Sequence, residues 1–286
     1  MLTPTGELVA AVRARGGAAC AFNVITVEHA EAIVSGAEAA GCPVILQISE
    51  NAVRFHHGRL APIAAAARAV AATAGVPVAL HLDHVVSAEL LDQAAPNGFG
   101  SVMVDASHLP YRENVAATAS AAAACHAAGL WVESELGEVG GKDGAHAPGV
   151  RTDPAEAAAY VAATGVDALA VAVGSSHAML DRTARLDQDL IVRLRQAVPV
   201  PLVLHGSSGV PDDELTAAVR GGMVKINIGT ALNTAFTGAV RATLDERPEL
   251  VDPRRYLTPA RTAMAGTVAA VLRLLTPGQV ASARGA

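Results

Sequence analysis

The chain has 286 residues, 51% hydrophobic and 17% charged, which suits a full core and either one barrel or two ordinary domains. Net charge is −6, and the 21 Lys and Arg form no basic block, which argues against nucleic acid as the main partner. Cys20, Cys42 and Cys125 are scattered without CxxC spacing and no apolar run reaches 18 residues, so neither a disulfide framework, a thiolate zinc ribbon nor a membrane span is expected.

Short apolar runs recur along the whole chain. The N-terminal stretch is broken by Pro4, Glu7 and Arg13 and does not read as a signal peptide, so a cytoplasmic location is expected. Ala18–Phe22 reads as the first strand, and Thr26 before Val-Glu-His starts the helix that follows. Val44–Ile48 and Val78–Leu82 are the second and third strands, with Ser87 capping the next helix. Ser101–Val104, Trp131–Glu135 and Ala168–Val173 follow. Between the last two, Asp153-Pro154-Ala155-Glu156 puts a cap, a first-turn proline and an N3 glutamate in order. Leu202–His205 precedes a similar start at Pro211-Asp212-Asp213-Glu214, and Lys225–Ile228 is the eighth strand. Successive strands start 23 to 37 residues apart, the length of a strand, a helix and two loops. The runs are continuous rather than alternating, as in parallel strands buried on both faces. The expected fold is α/β, a single (β/α)8 TIM barrel over 1–286 with a frayed tail from about 277. An open doubly wound sheet is the alternative, and the count of eight at even spacing favours closure.

In such a barrel the chemistry forms at the C-terminal ends of the strands. The third strand runs into His81-Leu82-Asp83-His84, the sixth into Gly174-Ser175-Ser176-His177, and the seventh into His205-Gly206-Ser207-Ser208-Gly209. Three imidazoles with an open position form a catalytic zinc arrangement. A hydrogen-bonded core histidine is the plainer reading of any one of them. Asp105 and Glu135 end the fourth and fifth strands on the same rim. Gly206 to Gly209 and Gly229-Thr230 stand where barrels often hold phosphate, although ordinary βα turns use the same residues. Lysine occurs only as Lys142 and Lys225, so Schiff-base chemistry has few candidates. The loop Gly137–Gly144 could be a charged lid or a solvated surface loop. His81 is expected behind the ligands rather than among them, and His56-His57 as a solvated pair.

A resemblance runs nearly end to end. AFNV at 21–24, PVILQIS at 43–49, VPVALHLDH at 76–84 and GFGSVMVDASHLPYRENV at 98–115 occur in order. VESELGEVGG at 132–141, TGVDALAVAVGSSH at 164–177, PLVLHGSSGVPDDEL at 201–215, KINIGT at 225–230 and DPRRYLTPAR at 252–261 complete the series. Together they resemble the class II, zinc-dependent fructose- and tagatose-bisphosphate aldolases. The resemblance implies Zn2+ on His84, His177 and His205, with Asp105 and Glu135 able to form an alternative metal position. It implies Asp83 as proton donor and acceptor at the C4 hydroxyl, and a lid carboxylate, nearest to Asp143, for the proton at C3. Gly206, Ser208, Ser175 and Thr230 would hold a phosphate, Asn227 the dihydroxyacetone part, and Asn23 and Ser49 the other end of the substrate. It further implies a phosphorylated ketose as partner, a monovalent cation near the phosphate, and a homodimer or homotetramer.

Departures from the family pattern cluster around the substrate's outer contacts. His-Gly after the sixth strand is His177-Ala178, and Met179 to Arg182 replaces the usual aromatic and lysine. A methyl group at 178 would crowd a phosphate held on the backbone. The lid is shorter and carries Lys142-Asp143, and Asp-His-Gly has become Asp83-His84-Val85. These changes point to an aldolase whose substrate differs from fructose 1,6-bisphosphate. Two other readings remain: a catalytically silent sugar-phosphate-binding barrel, and a zinc lyase on a related sugar monophosphate or sugar acid.

Overall fold

Eight parallel strands pair in chain order and close on themselves, the first bonding to the eighth. They are β1 (Ala19–Asn23), β2 (Val44–Ser49), β3 (Val78–Val85), β4 (Ser101–Val104), β5 (Trp131–Glu135), β6 (Ala168–Ala170), β7 (Leu202–Leu204) and β8 (Met223–Ile228). The structure is a computed structural model and describes residues 1–136, 151–176 and 181–276. The expected lid residues Lys142 and Asp143, the histidine His177, and the tail from 277 lie outside the described residues.

The helices in the first half are α1 (Thr5–Arg13), α2 (Val27–Ala40), α3 (Glu50–Phe55), α4 (Leu60–Ala72), α5 (Ala88–Leu91) and α6 (Tyr111–Ala127). Those in the second are α7 (Pro154–Thr164), α8 (Gln188–Ala197), α9 (Asp212–Gly221), α10 (Thr230–Glu246) and α11 (Pro253–Leu275). The start signals hold. Asp153 accepts from the Ala155 and Glu156 N–H groups at the head of α7, and Ser87 accepts from Leu90 N–H at α5. Thr26 and His29 form a reciprocal capping box at α2. No helix among the described residues is long and apolar enough to cross a membrane. All three cysteines are buried and free.

Strand alternation divides the core in two. Outward-facing residues such as Phe22, Leu46, Leu80, Val102, Val132, Leu169 and Ile226 pack under the ring of helices. The inward residues fill the barrel in layers. At the N-terminal end Ala19, Ala21, Ile45 and Ala79 meet Leu8, Val9 and Val12 of α1. This helix was not anticipated, because Glu7 and Arg13 mask an apolar face that is only three residues wide. Next come Met103, Ala168, Ala170 and Val203, with Trp131 against them. Above these the interior is polar, holding Gln47, His81, Asp83, Glu133, Glu135, His205, Lys225 and Asn227, all buried.

Two strand ends differ from the pattern in the sequence by three residues, the other strand boundaries by two or fewer. β6 stops at Ala170, because Thr152 takes over the hydrogen bonds of Ala172, its N–H donating to the Ala172 carbonyl at 3.0 Å and its Oγ1 accepting from the Ala172 N–H at 2.8 Å. β3 continues past Leu82 to Val85, with a register shift against β4 in that stretch.

Because α1 seals the barrel base, removing its apolar contact should loosen the whole fold. Leu8→Ala is expected to lower unfolding free energy by about 2–4 kcal/mol, read as a fall in the urea midpoint.

Candidate active site

In a regular strand Asp83 and His84 would face opposite sides of the sheet. The irregularity in β3 removes that constraint. His84 has a φ of 50°, in the left-handed region, and the β3–β4 register slips between Leu82 and Val85. A bulge of this kind re-aims a side chain, and here consecutive residues both line one cleft. The loop beyond is held from the first residue of α3: Glu50 Oε2 accepts the Val86 and Ser87 N–H groups at 2.7 and 3.2 Å. Burial opposes ionisation of Glu50, but these bonds and Arg54 lower its pKa overall.

Each of two histidines is oriented by a carboxylate. His84 Nδ1 lies 2.7 Å from Asp105 Oδ2, and His205 Nε2 lies 2.9 Å from Glu133 Oε1. A carboxylate accepts only, so each contact fixes the ring proton on that nitrogen. The remaining nitrogens, His84 Nε2 and His205 Nδ1, then direct lone pairs at one another across 3.1 Å. Two nitrogens on one tetrahedral zinc at about 2.0–2.1 Å stand about 3.3 Å apart. The spacing and the carboxylate-backed tautomers therefore suit a divalent cation between the rings. Burial raises the Asp105 pKa, but the His84 bond and charge and the two bonds from Ser107 outweigh it and hold the group well below the usual carboxylate range.

Asp83 completes the first of two ligand groups. Its carboxylate, His84 and His205 offer donor atoms within 4.8 Å of one another, and so do His84, Asp105 and Glu135. Asp83 Oδ2 accepts from Gln47 Nε2 at 3.1 Å, while Oδ1 is buried without a hydrogen-bond partner among the described residues. Such an atom is costly to bury unless a ligand or proton meets it. His81 sits behind this pair. Its Nδ1 is 2.8 Å from Ser101 Oγ, and its Nε2 is 3.8 Å from Asp83 and 4.0 Å from Glu133. Complete burial and the Lys225 charge push its pKa well down, so it stays neutral.

The adjoining wall is built for an anion. Gly206 has φ 65° and a Cβ there would sit 2.5 Å from the Ser176 backbone, so the turn after β7 accepts only glycine. Ser208 Oγ accepts from Ala231 N–H at 3.1 Å, tying this turn to the first turn of α10. Thr230 opens α10, whose N–H groups and dipole favour negative charge. A Cβ on Gly229 would come within 2.8 Å of Asn23 Nδ2, which lets the β1 and β8 ends close up. Among the described residues the cleft lining carries amides, hydroxyls and glycines beside Asp83, His84 and His205, without Lys or Arg.

Most residues singled out in the sequence meet here. Asn23, Ser49, Asp83, His84, His205, Gly206, Ser208, Asn227 and Thr230 line the cleft, and Asp105 and Glu135 flank His84. Ser49 Oγ also caps α3 by accepting Ala52 N–H at 3.2 Å. Ser175 is buried behind the cleft and is not among its lining residues. His177 and Asp143 lie outside the described residues. His57 is exposed as expected, but His56 is half-buried and its Nε2 lies 2.7 Å from the Ile25 carbonyl oxygen. Glu133 and Gln47 were missed, as were Asn51 and Asn233 in the lining. The signal for the first two was a period of two. Glu133 precedes Glu135, and Gln47 precedes Ser49, each pair on the inward face of its strand.

The comparisons with known proteins agree over nearly the whole chain. The family model described as fructose-bisphosphate aldolase class II matches residues 3–278. The YdjI aldolase from Escherichia coli K12 superposes with a TM-score of 0.83 at 30% identity, covering 96% of this chain and 97% of that one. A chain from Coccidioides immitis, described as a candidate fructose-1,6-bisphosphate aldolase, gives 0.84 at 28% identity, covering 96% and 98%. With the barrel and the site geometry in place, the chain belongs to the class II fructose-bisphosphate aldolase family.

Proposed function

We propose that this aldolase is zinc-dependent and converts a phosphorylated ketose reversibly to dihydroxyacetone phosphate and an aldehyde such as glyceraldehyde 3-phosphate. The observation that carries the reading is the pair of facing imidazole nitrogens, each backed by a carboxylate, with Asp83 beside them. His84, His205 and His177 would hold the ion, and Asp105 with Glu135 a second position. Zinc supplies a Lewis acid that polarises the ketose carbonyl and stabilises the charge left when the carbon–carbon bond breaks.

The protein's own groups do the rest. Asp83 takes the C4 hydroxyl proton as the bond to C3 breaks, and returns it in synthesis. Gln47 holds that carboxylate from below by donating to Oδ2. Gly206, Ser208 and Thr230 receive the phosphate through N–H and hydroxyl donors at the head of α10, with Ser175 behind them and a monovalent cation nearby. Asn227 addresses the dihydroxyacetone part, and Asn23 the distal end. Asp143 would move the C3 proton while the lid keeps water out. On the β2 side the wall is Ser49 and Asn51. Hydroxyl and amide groups suit sugar hydroxyls, which favours extending the substrate range to ketose 1-phosphates. A homodimer or homotetramer working in the cytoplasm accords with this reading.

The direct test is release of dihydroxyacetone phosphate from a panel of ketose 1,6-bisphosphates and 1-phosphates, with and without a chelator. Chelator-sensitive release is the expected result. Zinc bound with no release from any of them would favour the silent-barrel reading or that of a zinc lyase on a related substrate. Asp83→Ala should lower kcat by about 10²–10⁴-fold while metal analysis still finds one zinc per chain; loss of the zinc would make Asp83 a ligand instead. Asp105→Asn should weaken zinc binding by about 10–100-fold, measured by competition with a chromogenic chelator.

A further inference from the structure

Lys225 is one of two lysines in the chain and its side chain is completely buried beneath the cleft. Its Nζ lies 2.8 Å from Glu133 Oε2, 2.7 Å from Asn227 Oδ1 and 3.4 Å from Gln47 Oε1. An ammonium has three N–H donors and no acceptor; two of them bond the Asn227 and Gln47 carbonyls, and the Glu133 oxygen is held as an ion pair. Lys225 is not among the residues lining the cleft. It is therefore placed to act on neighbours rather than on substrate.

Each neighbour is turned by this contact. An amide alone is indifferent to which end faces which way. The buried cation draws the Gln47 and Asn227 carbonyls inward and leaves both NH2 groups facing outward. Gln47 Nε2 then donates to Asn23 Oδ1 at 2.7 Å and to Asp83 Oδ2 at 3.1 Å. Asn227 Nδ2 lies 3.1 Å from His205 Nε2, but with the ring proton on Nε2 both atoms are donors, so His205 is oriented through Glu133 and not through Asn227. With one Glu133 oxygen held by Lys225, the other accepts the His205 ring proton. We propose that Lys225 is the positioning residue of this site, one cation setting the orientation of Gln47, Asn227 and Glu133, and through them of Asp83 and His205. Its turnover consequence rests on the aldolase reading above; its structural and metal-binding consequences do not.

A plainer role would be to neutralise Glu133 and nothing more. Two variants separate the roles: Lys225→Met, which leaves a buried carboxylate unpaired, and Lys225→Met with Glu133→Gln, which removes both charges. Each is examined for melting temperature, zinc affinity by chelator competition, kcat and KM, and the side-chain contacts in a crystal structure. Lys225→Met should weaken zinc binding by about 10–100-fold. If it does not fold, the double variant carries the test. In the double variant melting should recover, yet kcat should stay about 10–100-fold low with KM little changed, and Gln47 Nε2 should leave Asp83. A double variant with parental kcat, parental zinc affinity and the Gln47–Asp83 bond intact would overturn the proposal and leave Lys225 as charge balance alone. A parent enzyme that turns over no ketose phosphate would overturn the aldolase reading, while the zinc and crystallographic measurements would still decide the role of Lys225.

Discussion

Two opposite charges lie 2.8 Å apart inside the barrel, Lys225 and Glu133, with neither side chain exposed. Removing two ions from water costs several kcal/mol each, and their attraction repays it only when the remaining donors and acceptors are also met. Here they are. The other Lys225 donors meet the Asn227 and Gln47 carbonyls, and the other Glu133 oxygen meets the His205 ring. An apolar pair of the same volume would serve stability as well or better. What a polar pair adds is direction, because hydrogen bonds fix which atom faces which, and packing does not.

That direction is transmitted upward to the cleft. The tautomer of His205 follows from Glu133, that of His84 from Asp105, and the placement of Asp83 from Gln47. The barrel makes this layering affordable. Its lower interior is mainly apolar and closed by α1, with Ser101 and Thr5 bonded to each other there, and the charged groups gather toward the cleft. A single local irregularity then converts a buried strand into a site. The left-handed backbone at His84 costs about 1–3 kcal/mol for a residue with a Cβ. It sets two adjacent functional side chains on one side of the sheet.

Much of this was legible in the sequence. The eight strands could be read because parallel strands covered on both faces leave continuous apolar runs, and their spacing matched a strand, a helix and two loops. Asp83, His84 and His205 stood out because each is polar at the end of such a run. Gln47 did not, being a single polar residue inside an apolar run, and nor did Glu133, whose partners His205 and Lys225 lie far along the chain. Lys225 stood out as one of two lysines, but its three partners were invisible, being 2, 92 and 178 positions away in the chain. The α1 helix was missed for a related reason. Its apolar face makes sense only against the barrel base it closes.

By itself, then, the sequence determined the parallel barrel, the family pattern of motifs and the rim on which the polar residues gather. These depend on local periodicity and on the order of short segments, which a chain carries in one dimension. Only the tertiary structure decided that Asp83 and His84 face the same way, that two imidazoles meet nitrogen to nitrogen, and that one ammonium serves three strands. Such facts depend on the register between strands far apart in the chain and on a bulge at one residue. Registers are set when the barrel closes, because closure fixes every strand's stagger against its neighbours at once.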